Sequence, residues 1–172
     1  MNSNQSFLVS DLRICSFNMH GFTNGISIIQ ELCLSFDIIM LQEHWLTYND
    51  LYKLDALSDD FIAYKVSAMN CKMSAGLLTG RPFGGTAILY RKTFGSRIQH
   101  VFSDTEEGRV ISVKLKHVGP KDIVLMCVYF PCMYNISEYT VNYSMVVSHI
   151  EAILQSNSDS LFIVGGDFNF EF

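Results

Sequence analysis

Apolar and polar positions recur along this chain with periods that alternate between those of strands and those of helices. Leu12-Arg-Ile-Cys-Ser-Phe-Asn18 alternates apolar with polar residues and reads as a strand ending at Asn18. His20-Gly21 follows as a turn. Thr23 or Asn24 can cap a helix whose apolar positions Ile26, Ile29, Cys33 and Phe36 recur at helical spacing. Asp37 then opens Ile38-Ile-Met-Leu41, a run suited to a central parallel strand, which ends at Gln42-Glu43-His44-Trp45. Strand, helix and strand form a βαβ unit, which places Asn18 and Glu43 at the same carboxyl edge of neighbouring strands.

The pattern continues in short elements. Asn49-Asp50 can cap a helix through Leu51, Leu54 and Leu57. Phe61 to Val66 reads as a strand, and Ala68 to Gly80, without a clear period, as a loop. Arg81-Pro-Phe-Gly-Gly85 is a glycine-bearing turn before the strand Thr86-Ala-Ile-Leu-Tyr90, and paired glycines there suit close strand packing or a bulge. Ile98 to Phe102 is a further short strand. Val110 to Lys116 and Ile123 to Phe130 read as a hairpin around Val118-Gly-Pro-Lys121. On its first arm Ile111, Val113 and Leu115 are expected to face the core, with Ser112, Lys114 and Lys116 in water. Its second arm is apolar throughout, hence interior, and ends at Tyr129-Phe-Pro-Cys132. Tyr139, Tyr143, Val146, Ile150 and Ile153 mark one face of a helix over roughly Glu138 to Gln155. Leu161 to Val164 then reads as a strand buried on both faces. Gly165 and Gly166 are expected to turn the backbone there and present Asp167 and Asn169 at the sheet edge, where ligands of open α/β sheets collect.

Composition narrows the class. The chain has 172 residues, enough for one domain with a sizeable core, and 49% of them are hydrophobic, thirteen being Phe. A net charge of −5 argues against a broad basic nucleic-acid footprint, but not against a small site where a divalent cation supplies positive charge. Five Cys without close CxxC pairs read neither as a disulfide framework nor as a zinc site, which points to a reducing compartment. The longest apolar stretch, Ile123 to Met133, is too short to span a membrane, and Met1 to Val9 has no secretory pattern. The expected location is intracellular, nuclear or cytoplasmic.

Asn18, Glu43, Tyr129, Asp167 and Asn169 all fall at or just past predicted strand ends, a set that suits phosphodiester cleavage. Glu43 is a hard oxygen ligand fitted to Mg²⁺, with Mn²⁺ an alternative, and Asn18 can position that ion or the attacking water. Tyr129 can donate its phenol proton to a phosphate oxygen, and Asp167 can serve the nucleophilic water. Asn169 can hold the same water or a phosphate oxygen. Arg81, Arg91 and Lys92 can meet DNA phosphates or simply line a solvated loop rim. His20 and His44 flank the proposed residues, and the plain reading of each is a solvated turn residue.

Ser16-Phe-Asn18, Leu41-Gln-Glu43, Val128-Tyr-Phe-Pro131 and Gly165-Gly-Asp-Phe-Asn169 occur in the order seen in the endonuclease/exonuclease/phosphatase superfamily. The chain resembles that superfamily, which includes the apurinic endonucleases and DNase I, from Leu12 to Asn169. Gln42-Glu-His-Trp-Leu46 with Gly80 to Lys92 is most similar to the endonuclease domain of non-LTR retrotransposon polyproteins. The resemblance implies a four-layer α/β sandwich of the DNase I-like type acting on DNA. It assigns metal binding to Glu43 and Asn18, phosphate contact to Tyr129, and the water nucleophile to Asp167 with Asn169. Cys132 stands where the family often has Asn. The family's closing segment, with a catalytic His and an adjacent Asp, is expected to lie beyond the last residue. The sandwich is therefore expected to be incomplete at its carboxyl end, the activity impaired and the sheet prone to association. Two other readings stay open: a non-catalytic or partner-dependent remnant, and an enzyme acting on a phosphoinositide, sphingomyelin or nucleotide.

Overall fold

The structure, a computed structural model, describes residues 12–76, 82–117, 120–133 and 136–169. The predicted βαβ unit is present as β1 (Ile14–Asn18), α1 (Phe22–Ser35) and β2 (Ile38–Gln42), with β1 and β2 parallel and Asn18 opposite Gln42. Neither Thr23 nor Asn24 caps α1. Gly21 takes that position at φ 96, and the Asn24 amide donates backwards to the His20 carbonyl at 2.7 Å. A glycine is required there, because a β-carbon would lie 2.6 Å from the Trp45 indole.

A tight 3₁₀ turn, Tyr48–Asp50, and the short α2 (Tyr52–Asp55) bury Leu51, Leu54 and Leu57 as their spacing predicts. β3 (Phe61–Val66) and β4 (Thr86–Arg91) complete a first sheet in the order β1-β2-β4-β3. Between them the expected loop contains one short helix, α3 (Asn70–Ser74), too brief to show a helical period in sequence. β5 (Ile98–Ser103), β6 (Val110–Leu115), β7 (Ile123–Tyr129) and β8 (Leu161–Asp167) form the second sheet in chain order. β6 and β7 pair antiparallel as the hairpin reading requires, while Val118 and Gly119 of its turn lie outside the described residues. α4 (Ile136–Ser156) connects β7 to the parallel β8.

Three apolar clusters define the layers. Between the sheets Met40, Ile88 and Tyr90 meet Ile111, Val113, Leu125 and Cys127. α1 and α2 cover the outer face of the first sheet through Ile29, Cys33 and Leu54 against Ile39, Leu41 and Leu89. α4 covers the second sheet with Val146 and Ile153 against Val124, Met126 and Val128. Helix, sheet, sheet and helix are therefore stacked, the α/β sandwich expected from the sequence.

Three local expectations fail for one reason: the sequence does not reveal what packs across a sheet. Ser112 is buried rather than solvated, because the face opposite Ile111 and Val113 is covered as well. Leu161, Ile163 and Val164 are not buried on both faces but are 49%, 37% and 39% exposed, since among the described residues β8 pairs only with β7. Gly165 and Gly166 form no turn and continue β8. A β-carbon on Gly165 would lie 2.6 Å from the Met40 sulfur, and one on Gly166 would collide with the Val128 carbonyl oxygen, so both are packing glycines. Among the described residues no helix is long and apolar enough to cross a membrane.

Candidate active site

The carboxyl ends of β1 and β2 on one sheet, and of β7 and β8 on the other, meet at one edge of the sandwich. Asn18 joins them. Its amide nitrogen donates to Glu43 Oε1 at 2.7 Å and to Asp167 Oδ2 at 2.8 Å, while its Oδ1 accepts the His20 N–H at 3.0 Å. The amide orientation follows from that arrangement: two carboxylates need donors, and the His20 N–H needs an acceptor. Asn18 is thus a clamp between two carboxylates from opposite sheets. Its oxygen is engaged by the His20 N–H.

Glu43 gathers further donors. The Trp45 indole N–H reaches Oε2 at 3.1 Å, and the Tyr129 hydroxyl hydrogen-bonds to the same carboxylate. Burial first, and then the Glu43 charge, push the Tyr129 phenol far above its ordinary value. Tyr129 therefore stays protonated throughout the neutral range and remains a donor. Asp167 is fixed on its other oxygen by the Asn169 N–H at 3.0 Å, and the Asn169 side chain donates to the Phe130 carbonyl at 2.7 Å. Asn169 thus closes the turn that aims Asp167. Burial also raises the Cys132 thiol, which hydrogen-bonds with Tyr129.

The loops carrying these groups hold left-handed backbone. Among the described non-glycine residues, positive φ occurs at His20 (45°), Glu43 (55°), Trp45 (55°), His117 (59°) and Asn169 (46°), so four of the five lie at this edge. Such conformations persist where the surroundings over-determine them. His44 provides that constraint between Glu43 and Trp45. Fully buried, it accepts the Leu46 N–H at Nδ1 (3.0 Å) and donates from Nε2 to the Val66 carbonyl (2.9 Å). Burial lowers its pKa to about 4. The ring is seated against Gly85, at φ 86, where any β-carbon would collide with it. Gln42 ties the same strand end inward through Ser16 and the Cys127 sulfur, its amide reaching them at 3.1 Å each.

A hard divalent cation fits this donor set. Glu43 offers two oxygens with about four lone-pair positions, three of which already accept hydrogen bonds from Asn18, Trp45 and Tyr129. One position is left for an ion. No group of three His, Cys, Asp or Glu that could enclose a metal occurs among the described residues. A single-carboxylate anchor of this type suits Mg²⁺, which retains waters and takes phosphate oxygens as further ligands.

The structure brings Asn18, Glu43, Tyr129, Asp167 and Asn169 together and leaves Arg91 apart. Arg91 lies at the opposite end of the first sheet, where its Nε meets Asp37 at 3.0 Å, its Nη2 meets the Cys33 carbonyl at 3.0 Å, and its guanidinium stacks over Phe61. Arg13 shares Asp37 at 3.2 Å, so this cluster locks the start of β2 and is not a phosphate contact. Arg81 lies outside the described residues. His44 is a buried brace rather than a solvated turn residue. Sequence reasoning missed Arg109, whose guanidinium lies 5.4 Å from the Tyr129 ring centre. The signal was present in the hairpin: pairing Val110 with Val128 puts the residue before β6 beside the end of β7.

Residues 15–171 match the Endonuclease/Exonuclease/phosphatase family, and the chain belongs to that family. No curated protein matches it significantly. Among solved structures, it is similar to an AP endonuclease from Archaeoglobus fulgidus at 18% identity and TM-score 0.63, over 91% of this chain and 56% of that one. It is also similar to the 3′ phosphatase NExo from Neisseria bound to a product DNA hairpin, at 13% identity and TM-score 0.63, over 92% and 58% of the two chains. TDP2 from D. rerio, complexed with a single-strand DNA product, matches at 20% identity and TM-score 0.60, over 94% and 62%. The chain thus spans between 56% and 62% of the length of these structures. At such identities the likeness establishes the fold.

Proposed function

We propose that the chain is a Mg²⁺-dependent phosphodiester hydrolase of the DNA endonuclease type, derived from a non-LTR retrotransposon, with Mn²⁺ able to substitute. The observation that carries this reading is the Asn18 amide bonded to both Glu43 and Asp167. It sets two half-buried carboxylates side by side where the two sheets end, next to a phenol that cannot ionise at neutral pH. Asp167 has lone pairs free to accept a proton from a water, and Tyr129 can turn its hydroxyl from Glu43 onto a phosphate oxygen. Held by Glu43, the cation would neutralise the phosphate charge and acidify bound water. DNA as substrate is supported by the DNA-bound structures of the fold.

The exposed Leu161, Ile163 and Val164 favour a second reading, in which further polypeptide covers β8 before the site works.

The test is nicking of supercoiled plasmid by wild type and Asp167→Asn, with Mg²⁺ and with a chelator. Nicking that needs the metal and disappears in the variant is expected. Equal rates in matched preparations of the two proteins would overturn the assignment. Nicking that appears only with a longer polypeptide would favour the second reading.

A further inference from the structure

Trp45 is the chain's single tryptophan, and its backbone sits at φ 55, a conformation that bulky residues rarely adopt. Its N–H donates to the Gly84 carbonyl at 3.0 Å, and its indole N–H donates to Glu43 Oε2 at 3.1 Å. Gly21 packs on the six-membered ring, where a β-carbon would lie 2.6 Å away. The indole is therefore fixed at three points, yet it is only half-buried. A strained, fixed aromatic beside Glu43 is more than core packing requires. It borders a cavity of about 330 Å³ whose other apolar walls are Phe22, Leu46 and Pro82. Thr23 and Asn24 give that cavity a polar edge. The Asn24 amide nitrogen is taken by the His20 carbonyl at 2.7 Å, which leaves Oδ1 as an acceptor, and Thr23 is exposed. Asp50 and Lys53, the charged groups of the lining, pair with each other at 2.7 Å, so an occupant meets no net charge. Apolar walls, a few hydrogen-bonding groups and balanced charge suit a flat neutral ring and not a phosphate. The volume, at the lower end of the ~300–1,000 Å³ of small-molecule pockets, suits one such ring at a time.

We propose that this cavity receives a nucleobase of the DNA strand, stacked on Trp45 beside the phosphodiester held at Glu43. The proposal rests on the hydrolase reading above and adds to it a contact with a base rather than with the backbone. Stacking supplies affinity that tolerates any sequence, since every base presents a π-face. Asn24 supplies a preference. Its free oxygen needs a donor, which the amino groups of adenine and cytosine offer where thymine carries an oxygen and a methyl group. The same indole touches Glu43 through its N–H, so a base on Trp45 sets the position of the strand relative to that carboxylate. Trp45 is thus a specificity-determining residue whose contribution falls on binding, because the stacked base does not change during the reaction.

Because Trp45 is the only tryptophan, its fluorescence reports on the cavity directly. The full chain is titrated with a single-stranded oligodeoxyadenylate, an oligothymidylate, deoxyadenosine monophosphate and inorganic polyphosphate, which carries backbone-like charge but no bases. Quenching by both oligonucleotides, at lower concentration for the adenylate, and none by polyphosphate is expected. Affinity for fluorescein-labelled oligodeoxyadenylate is then measured by anisotropy with Trp45→Leu, Trp45→Phe and Thr23→Phe. Trp45→Leu should weaken binding roughly tenfold, the loss of one stacked base. Trp45→Phe should keep most of the affinity, because its ring still stacks although the hydrogen bond to Glu43 is gone. A role exercised only through Glu43 predicts equal losses in the two. Thr23→Phe, at an exposed position that leaves Trp45 in place, should fill the cavity and weaken binding in the same range, with calorimetric Mg²⁺ binding unchanged. It carries the test if Trp45→Leu fails to melt cooperatively. Equal quenching by polyphosphate, equal losses in Trp45→Leu and Trp45→Phe, or unchanged affinity in Trp45→Leu and Thr23→Phe would overturn the base pocket and leave the hydrolase reading intact. Deoxyadenosine monophosphate binding as tightly as the oligonucleotide would overturn the strand as the source of the base. No oligonucleotide binding by wild type would overturn both readings.

Discussion

Lowering the pH should unlock the loop that carries Glu43, because His44 is buried in a form that cannot accept a proton. Its ring has no exposed surface, its Nδ1 already takes the Leu46 N–H, and its pKa is lowered to about 4. In the unfolded chain the same imidazole titrates near ~6.5. Between these values the unfolded state binds more protons than the folded one. The His44 contribution is therefore fully present above the unfolded pKa and is lost as pH falls toward the folded one. A separation of about 2.5 units corresponds to roughly 3 kcal/mol in total, of which about 2 kcal/mol is lost between pH 7.5 and pH 5. Asp37 has its carboxyl lowered, despite burial, by its bonds to Arg13 and Arg91, so its contribution disappears only at more acid pH, below the ordinary carboxylate value. His100 shifts in the same direction as His44 but is far less enclosed, and solvent screening leaves it a minor share. Urea unfolding at pH 7.5, 6 and 5 measures the difference directly. His44→Gln, which keeps one amide donor for the Val66 carbonyl, should lower stability at pH 7.5 by about 1–3 kcal/mol. It should also reduce the pH 5 to 7.5 difference to well under about 1 kcal/mol. Equal wild-type stability at pH 7.5 and pH 5, or a full acid loss retained in His44→Gln, would refute the argument.

Other expectations concern charge, packing and surface. Glu43→Gln should abolish most Mg²⁺ binding in a calorimetric titration, and should lower stability as well, by about 1–3 kcal/mol, because the carboxylate accepts hydrogen bonds from Asn18, Trp45 and Tyr129. Gly166→Ala should destabilise at the upper end of the ~1–3 kcal/mol seen for overpacking, because the added carbon meets a strand carbonyl and not a movable side chain. Urea midpoints would show it. Strong binding of a hydrophobic dye is expected from the exposed residues of β8, and Ile163→Lys with Val164→Thr should reduce both the dye signal and any light scattering. A monomeric wild type without dye binding would contradict that.

The strand ends were legible because each is an apolar run stopped by a polar residue, and such runs need no knowledge of their neighbours. Asn18, Glu43, Tyr129 and Asp167 follow from that pattern, and so does their meeting, once β1 with β2 and β7 with β8 are parallel. What escaped was decided by contacts distant in sequence. His44 resembles a turn residue until Gly85, on the approach to β4, is seen to make room for its ring. Gly165 and Gly166 resemble a turn until Met40 and Val128 are placed over them. Arg91 carries the right charge, but β4 runs antiparallel to β2 and takes it to the Asp37 end. Charge alone carries no position, whereas Arg109 could have been placed by the hairpin register.

The arrangement also explains why a site built on two separate sheets can be positioned closely. Glu43 and Asp167 come from β2 and β8, which share no hydrogen-bonded ladder, so backbone pairing does not fix the gap between them. Two features do. Gly165, with no side chain, lets β8 settle against Met40 and Ser16 of the first sheet. Two residues further on, Asp167 then comes within reach of Asn18, whose one nitrogen bonds both carboxylates. Hydrogen bonds to charged groups contribute roughly 1.5–3 kcal/mol each, enough to hold two like charges together. Because β8 is laterally supported only by β7 among the described residues, it is the more compliant partner in this clamp. Any segment that pairs with its free edge would therefore stiffen Asp167 against Glu43 without touching either carboxylate, which makes β8 the element through which the rest of the fold can act on the chemistry.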